Sequence, residues 1–350
     1  MAKPTRQEQE LATDDVTEVA PGILRMQLPI MMPGLGHVNC YAMEDERGFA
    51  VVDPGLPGPT SYEALLQRLA TAGLPVRRLH SVIVTHSHPD HFGGAARLRE
   101  ETGADVVTHR DFRVWFDPEP DAEDPEMAAD DDTPQQELQG PWLRPVPWGG
   151  EPFRPPEGSM GKSADEFRTY LKHPRPTRRL DDADVASFAR REWIAIHTPG
   201  HTPDHLCLYD PVEGVVLSGD HVLPTITPHI SGIGNSDDPL AEFFTSLDRM
   251  QTLDGVRHVL PAHGHPFTNL SGRVDEIKKH HIDRLHRLTT ASHDLGRAAS
   301  VNELMQHLFS PRAWGSMAES ETYAHLEHLR LAGQAGAHWK DDLLLYEVTA

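Results

Sequence analysis

The sequence predicts an α/β fold followed by a helical C-terminal domain. Short β-branched runs, such as LHSVIVT at 79–85, alternate with amphipathic segments of helical length, such as PTSYEALLQRLATAG at 59–73. From about residue 272 the strand-like runs give way to consecutive helical segments. Alternating strands and helices are typical of a sheet that is covered by helices.

The first part of the chain predicts strands and helices in the order strand, strand, strand, helix, strand, helix, strand. The strand-like runs are GILRMQLPI, VNCYAME, GFAVVD, LHSVIVT and ADVVTH. In the helix at 59–73, Thr60 and Glu63 have the spacing of a capping box, and Gly73 is a typical stop. The second helix is expected between Gly93 and Gly103.

Regular structure resumes after a long irregular segment. Strand-like runs lie in EWIAIHTPGHTPDHLCLYD at 192–210, in EGVVLSGD at 213–220 and in VRHVLPAHGH at 256–265. Before the last of these, Asp238 and Pro239 predict the start of a helix, as its N-cap and first residue.

Residues 272–350 predict three helices and a closing β-hairpin, the composition of a small winged-helix-like domain. Ser300 and Glu303 have the spacing of a second capping box. On the long helix that opens this region, His280 and His281 stand among lysines and arginines. We interpret that part of the helix as a solvent-facing surface.

An insertion is expected at 112–180, where the strand and helix pattern breaks. It holds ten acidic residues and neither lysine nor arginine between 117 and 137, and 12 prolines between 118 and 176. The segment also contains Trp142, Trp148 and Phe153. We expect these aromatic residues to pack on the body of the protein; lining a substrate pocket is the alternative.

The remaining composition limits the functional classes. The first 15 residues are polar and predict a flexible tail ahead of a catalytic domain at 16–271. Neither a secretory signal nor an apolar run of membrane-spanning length is visible, and the two cysteines lie in apolar runs, so we expect a cytoplasmic protein with reduced thiols. A net charge of −21 makes nucleic acid and anionic lipid poor partners. The oligomeric state stays open, with a homodimer as one candidate.

One loop, THSHPDHFGG at 85–94, carries most of the chemistry. It concentrates His86, His88, Asp90 and His91 directly after a buried strand. Imidazole nitrogens and carboxylates are ligands for zinc and related metals. Four donors are too few for two ions, and three further candidates stand at the ends of other predicted strands: His201, Asp220 and His263.

The order HxHxDH, His, Asp, His resembles the metallo-beta-lactamase fold superfamily of hydrolases. Further signatures are VNCY, VVDPG, TPGHTPDH, LSGDHVL and LPAHG. The resemblance covers about 20–110 and 185–270 and implies an αβ/βα four-layer sandwich. The C-terminal region resembles the winged-helix-like tail of a branch that includes the beta-lactamase-like endoribonucleases.

The resemblance also implies the ligands of two divalent ions, with zinc expected and iron or manganese as alternatives. By position, His86, His88 and His201 would hold one ion, Asp90, His91 and His263 the other, and Asp220 would bridge them. Asp53 resembles the carboxylate that orients a ligand loop. His205 and His221 flank ligands and are candidates for supporting or substrate-binding roles, and His229 is a candidate proton donor.

The expected reaction is attack of an activated water on a carbonyl or phosphoryl centre, with a proton for the leaving group from Asp90 or solvent. Glyoxalase II-like thioesterases carry basic and tyrosine residues after the bridging Asp, and the lactonases of this superfamily carry a phenol near it. Between His221 and Pro261 there is neither Tyr nor Lys, so the resemblance disfavours a glyoxalase II-like thioesterase and weakens the lactonase interpretation. We expect a small ester, thioester or lactone as substrate. The alternatives are an endoribonuclease or phosphodiesterase and a non-catalytic winged-helix nucleic-acid binder.

Overall fold

The computed structural model describes residues 6–32, 34–114, 146–150, 169–234 and 236–349. The chain forms two compact units. The first comprises Met1–Phe112, Lys162–Pro228 and Thr245–Ile277, and the second comprises Arg113–Gly161, His229–Phe244 and Lys278–Ala350. Each unit therefore contains segments that are far apart in the sequence.

A seven-stranded sheet in the first unit follows the order of the chain. Its strands are β1 (Val16–Ala20), β2 (Ile23–Met32), β3 (Leu35–Glu44), β4 (Phe49–Val52), β5 (Leu79–Ile83), β6 (Asp105–His109) and β7 (Arg178–Leu180). Strands β1 to β4 are antiparallel neighbours, whereas β4 to β7 are parallel. Parallel neighbours need crossover connections: the helix α1 (Pro59–Thr71) lies between β4 and β5, and the helices α2 (Pro89–Phe92) and α3 (Ala95–Thr102) lie between β5 and β6.

A second sheet of the same unit has five strands in the order β12-β11-β10-β9-β8. These strands are β8 (Val185–Phe188), β9 (Arg191–His197), β10 (Leu206–Asp210), β11 (Val215–Gly219) and β12 (His258–Pro261). The pair β11 and β12 is parallel and the other pairs are antiparallel. The helix α4 (Pro239–Gln251) lies between β11 and β12 in the sequence.

The main core of the first unit contains side chains from both sheets. Tyr41 and Ile83 of the seven-stranded sheet belong to the same buried cluster as Trp193, Leu208 and Leu260 of the five-stranded sheet. The apolar runs of the sequence thus supply the surfaces that bury the two sheets. The predicted α/β class is confirmed.

The beginning of α1 differs from the prediction. Its N-cap is Gly58 and its first residue is Pro59, and no side chain caps it. Proline lacks an N–H and has a fixed φ that suits the first helical position. Pro59 therefore begins the helix, and Thr60 is its second residue and not its N-cap. The capping box predicted from Thr60 and Glu63 is therefore wrong.

The predicted start of α4 is correct, because Asp238 Oδ1 accepts a hydrogen bond of 2.9 Å from the Ala241 N–H.

The C-terminal segments are helical and end in a small sheet, as predicted. The elements are α5 (Leu270–Leu295), β13 (Ala299–Ser300), α6 (Val301–Leu308), α7 (Ser316–Leu331), β14 (Ala335–Lys340) and β15 (Leu343–Val348). The strands β14 and β15 form the expected antiparallel hairpin. The capping box of Ser300 and Glu303 is present with both of its hydrogen bonds. The likeness to a winged helix stays a prediction.

The start of the chain and the predicted insertion both contain buried residues. Residues 6–15 do not form a loose tail: a 3₁₀ turn at Gln7–Gln9 places Glu8 in a fully buried position, where its carboxylate accepts a 2.8 Å hydrogen bond from Thr225 N. A buried, hydrogen-bonded carboxylate anchors this segment to the first unit. Of the aromatic residues in the predicted insertion, Trp148 is buried in the core of the second unit, while Trp142 and Phe153 lie outside the described residues.

Within the described ranges, every helix is too short or too polar to cross a bilayer.

Candidate metal centre

The loop after β5 brings four donors together. His86 and His88 follow the strand, His88 in extended backbone as the N-cap, and Pro89 then begins the short helix α2, which carries Asp90 and His91. His86 and His91 are fully buried, and Asp90 is nearly so. A strand end, a five-residue loop at 84–88 and a short helix thus place two pairs of donors on one short segment.

The other three predicted donors stand at strand ends of the second sheet. His201 follows β9, Asp220 follows β11 and His263 follows β12. All three side chains are buried. The seven donors predicted from the sequence therefore meet in the first unit.

Their ligand atoms fall into two groups. In the first group, His88 Nδ1 lies 3.0 Å from His86 Nε2 and 3.1 Å from His201 Nε2. In the second group, Asp90 Oδ2 lies 3.5 Å from His91 Nε2 and 3.4 Å from His263 Nε2. Within each group the ligand atoms lie within 4.8 Å of one another, which is close enough to contact one ion.

Asp220 faces both groups. Its Oδ2 lies 3.6 Å from His201 Nε2 and 4.0 Å from His86 Nε2 in the first group, and 3.6 Å from His91 Nε2 in the second. Its Oδ1 lies 3.3 Å from His263 Nε2. A single carboxylate therefore has one oxygen directed to nitrogens of both groups.

Asp53 supports the ligand loop by hydrogen bonds. Its carboxylate accepts hydrogen bonds of 2.9 Å from the Thr85 N–H, from the Thr85 hydroxyl and from His91 Nδ1. The bond to Nδ1 leaves His91 Nε2 as the nitrogen that faces the donors. Asp53 itself has φ of 55°, a strained conformation that asparagine and aspartate tolerate better than most residues.

Two other histidines hold the second-sheet ligands. His205 Nε2 accepts a 3.0 Å hydrogen bond from the Asp220 N–H, and its Nδ1 lies 2.8 Å from the Thr198 hydroxyl. His263 Nδ1 donates to the backbone carbonyl of His37 at 2.7 Å, which directs its Nε2 to the donors. His37 was not assigned a role from the sequence, because a backbone acceptor carries no residue signature.

Glycines allow the supporting loops to come close. A Cβ at Gly93 would lie 2.1 Å from Pro57 N, and one at Gly94 would lie 2.5 Å from the Pro54 carbonyl oxygen. Both contacts are with the segment that follows Asp53. At the end of β11, Gly219 has φ of +50°, and a Cβ there would lie 2.6 Å from His205 Nε2. The glycines of HFGG and LSGD are thus required by packing.

The remaining candidate residues are placed differently. His221 is buried, and its ring centroid lies 5.8 Å from that of His205. His229 belongs to the second unit, where its Nδ1 lies 3.6 Å from Glu321 Oε2. Sequence analysis missed Asp204, which accepts a 3.0 Å hydrogen bond from the Ser87 hydroxyl and so connects the two histidine loops. Its place inside TPDH was the available signal.

The electrostatics of the donors favour a bound cation. Burial lowers the pKa of His86 and brings that of His88 to about 3, so both imidazoles are neutral and able to ligate. Burial also disfavours charge on His263, but the Asp220 and Asp90 carboxylates outweigh it and raise its pKa to about 10. The buried carboxylates therefore draw positive charge into this site.

The donor atoms themselves fit a metal. His91 Nε2, His263 Nε2 and Asp220 Oδ1 are buried and lack a hydrogen-bond partner among the described residues. Buried polar atoms without partners are costly, and coordination of an ion would satisfy them. Nitrogen and carboxylate donors without sulfur are a set that zinc, iron and manganese accept.

Comparison with known proteins defines the class. A family model described as the metallo-beta-lactamase superfamily matches residues 33–263. A metallo-beta-lactamase family protein from Thermus thermophilus has a similar fold, with a TM-score of 0.74 and 28% sequence identity over 95% of this chain and 100% of that one. The chain belongs to the metallo-beta-lactamase superfamily, and it is a hydrolase of that superfamily.

Two curated relatives carry names that describe an activity. The probable metallo-hydrolase YqjP of Bacillus subtilis is 22% identical over 96% of this chain and 99% of its own length. The atrochrysone carboxyl ACP thioesterase of Aspergillus fumigatus is 32% identical over a shorter stretch, 34% of each chain. The first is similar throughout, and the second is similar over about a third of its length.

Proposed function

We propose that this chain is a dinuclear metal hydrolase that acts on a small ester, thioester or lactone. The observation that carries the proposal is the position of Asp220, whose Oδ2 lies within 4.0 Å of nitrogens from both donor groups. An aspartate in that position can bridge two ions. Zinc is the ion we expect, with iron or manganese as alternatives.

The donors divide into distinct tasks. His86, His88 and His201 would hold one ion, Asp90, His91 and His263 would hold the other, and Asp220 would contact both. When bound, the ions supply Lewis-acid activation of a water molecule and of the substrate carbonyl. Asp90 is our candidate for proton transfer to the leaving group, with solvent as the alternative. Asp53 and His205 keep the ligands in position through the bonds described above.

A small acyl substrate is favoured over a nucleic acid. The similarity to an acyl carrier protein thioesterase makes a thioester the first substrate to test. The net charge of −21 opposes the binding of a polyanion, because a protein holds a nucleic acid with Lys and Arg side chains along several phosphates. The endoribonuclease alternative depends on the likeness of the C-terminal region to that branch, and a nucleic-acid binder depends on the same likeness.

A hydrolysis screen with protein of known metal content tests the proposal. The substrates are acyl thioesters, aryl esters, lactones, phosphodiesters and single-stranded RNA, each with the zinc-loaded protein and with protein treated with a chelator. We expect metal-dependent hydrolysis in one of the acyl classes. Metal-dependent turnover of RNA alone would replace the proposal by the endoribonuclease, and RNA binding without turnover of any substrate would favour the binder.

A further inference from the structure

A second cluster of metal-ligand residues lies in the second unit. It is formed by His281 of α5 and by Glu321 and His325 of α7. A spacing of four residues places Glu321 and His325 on the same face of their helix. The side chains of all three residues are buried, and one ligand atom of each lies within 4.8 Å of the other two.

The two imidazoles are arranged like ligands. His325 Nδ1 donates a 2.6 Å hydrogen bond to the Glu321 backbone carbonyl, which leaves a lone pair on Nε2. That Nε2 lies 3.0 Å from His281 Nδ1, the same separation as between His86 Nε2 and His88 Nδ1. A ligating histidine commonly gives its other N–H to a backbone carbonyl, as His325 does here.

Their surroundings keep the three groups in the protonation state that metals require. Burial lowers the pKa of His281, and it lowers that of His325 to about 4. Burial disfavours the Glu321 carboxylate, but Arg284 outweighs it and holds the pKa of Glu321 below its usual range. At neutral pH the cluster therefore consists of two neutral imidazoles and one carboxylate.

We propose that His281, Glu321 and His325 form an additional binding site for one divalent transition-metal ion, with zinc as the expected ion. Two imidazoles and a carboxylate are a known zinc donor set, and a hydrogen-bonded pair of histidines is the competing interpretation. Arg284 pairs with Glu321 Oε1, and His229 Nδ1 lies 3.6 Å from Oε2, so an ion bound at Oε2 would share that oxygen with His229. Because the Arg284 charge opposes a cation, we expect weaker binding here than at the centre of His86, Asp220 and their partners.

The test is a count of bound zinc in the full chain after equilibration with zinc and gel filtration. We expect His325→Gln and His281→Gln each to lose about one equivalent relative to the wild type. His286→Gln, an exposed histidine on the same helix, should lose none. The background variant Asp220→Ala should still lose about one equivalent when His325→Gln is added, which separates this site from the catalytic proposal.

A zinc-edge anomalous map of wild-type crystals gives the same answer without a substitution, in case the variants do not fold. A peak about 2 Å from His281 Nδ1 and His325 Nε2 is expected. Crystals equilibrated with millimolar zinc that show no peak there would overturn the proposal, as would unchanged zinc content in folded His325→Gln. Either result would leave the hydrogen-bonded pair as the description of this cluster.

Discussion

Asp53 is a single residue outside the seven donors that supports the candidate metal centre. It accepts hydrogen bonds from both the backbone and the hydroxyl of Thr85 and from His91 Nδ1, and it does so from a left-handed backbone position. The strand end, the ligand loop and one ligand are therefore fixed by one carboxylate. Loss of its charge should affect the metal more than the fold.

We predict that Asp53→Asn lowers zinc affinity about 10- to 100-fold, the usual effect of removing a carboxylate that orients a ligand histidine. The amide keeps the size of the side chain but weakens the bond to His91 Nδ1. Competition with a chromophoric chelator measures the change. Asp254→Asn, at an exposed position of the first unit, is the control. An unchanged affinity in Asp53→Asn would show that His91 needs no such support.

The candidate donors could be predicted from residue types at fixed spacing, whereas the burial of a histidine on a helix was predicted wrongly. The seven donors were identified because they stand in short motifs at strand ends. His281 was interpreted as part of a solvent-facing surface because lysines and arginines surround it, yet it is fully buried. Its spacing from the buried Ile277 and Leu288 follows the helical period and was the available signal.

At the scale of elements, the two predicted capping boxes gave opposite outcomes. Ser300 accepts a 3.2 Å hydrogen bond from the Glu303 N–H, and Glu303 Oε2 accepts a 3.0 Å bond from the Ser300 N–H. Thr60 has the same sequence spacing to Glu63, but Pro59 already begins that helix. Whether a capping box forms therefore depends on which residue begins the helix, and in α1 the neighbouring proline begins it.

We predict that Ser300→Ala lowers the free energy of unfolding by about 1 kcal/mol, because the Glu303 N–H at the start of α6 loses its side-chain acceptor. The matched change Thr60→Ala, at an exposed position that caps nothing, should stay within about 0.5 kcal/mol of the wild type. Urea denaturation followed by circular dichroism measures both. Equal effects of the two substitutions would mean that the Ser300 cap contributes nothing beyond the helix propensity.

At the scale of the whole molecule, the sequence predicted the strands but not their assembly. The candidate ligands follow β5 of one sheet and β9, β11 and β12 of another, and strand pairing over such sequence distances leaves no local pattern. The family resemblance supplied this part of the prediction. The residues of 229–244 belong to the second unit although they lie within the predicted catalytic range, because unit membership depends on long-range packing.

The overall charge leads to a prediction about substrates. With a net charge of −21, the chain should bind polyanions poorly, whereas a neutral ester gains nothing from long-range attraction. We expect the kcat/KM for the best small acyl substrate to change less than about twofold between about 50 and 200 mM salt. Over this range, a protein that makes several phosphate contacts loses orders of magnitude in affinity. Efficient RNA cleavage that falls steeply with salt would support the endoribonuclease instead.

We propose that Asp220 contacts two ions at the hydrolytic centre, and the zinc content of substituted proteins tests this directly. Wild type, His263→Ala and Asp220→Ala are purified identically, loaded with zinc and analysed for metal, with hydrolysis of the best acyl substrate measured on the same samples. Relative to wild type, we predict a loss of about one equivalent in His263→Ala and about two in Asp220→Ala, which also loses activity. An Asp220→Ala protein with the zinc content and turnover of the wild type would show that Asp220 does not bridge two ions.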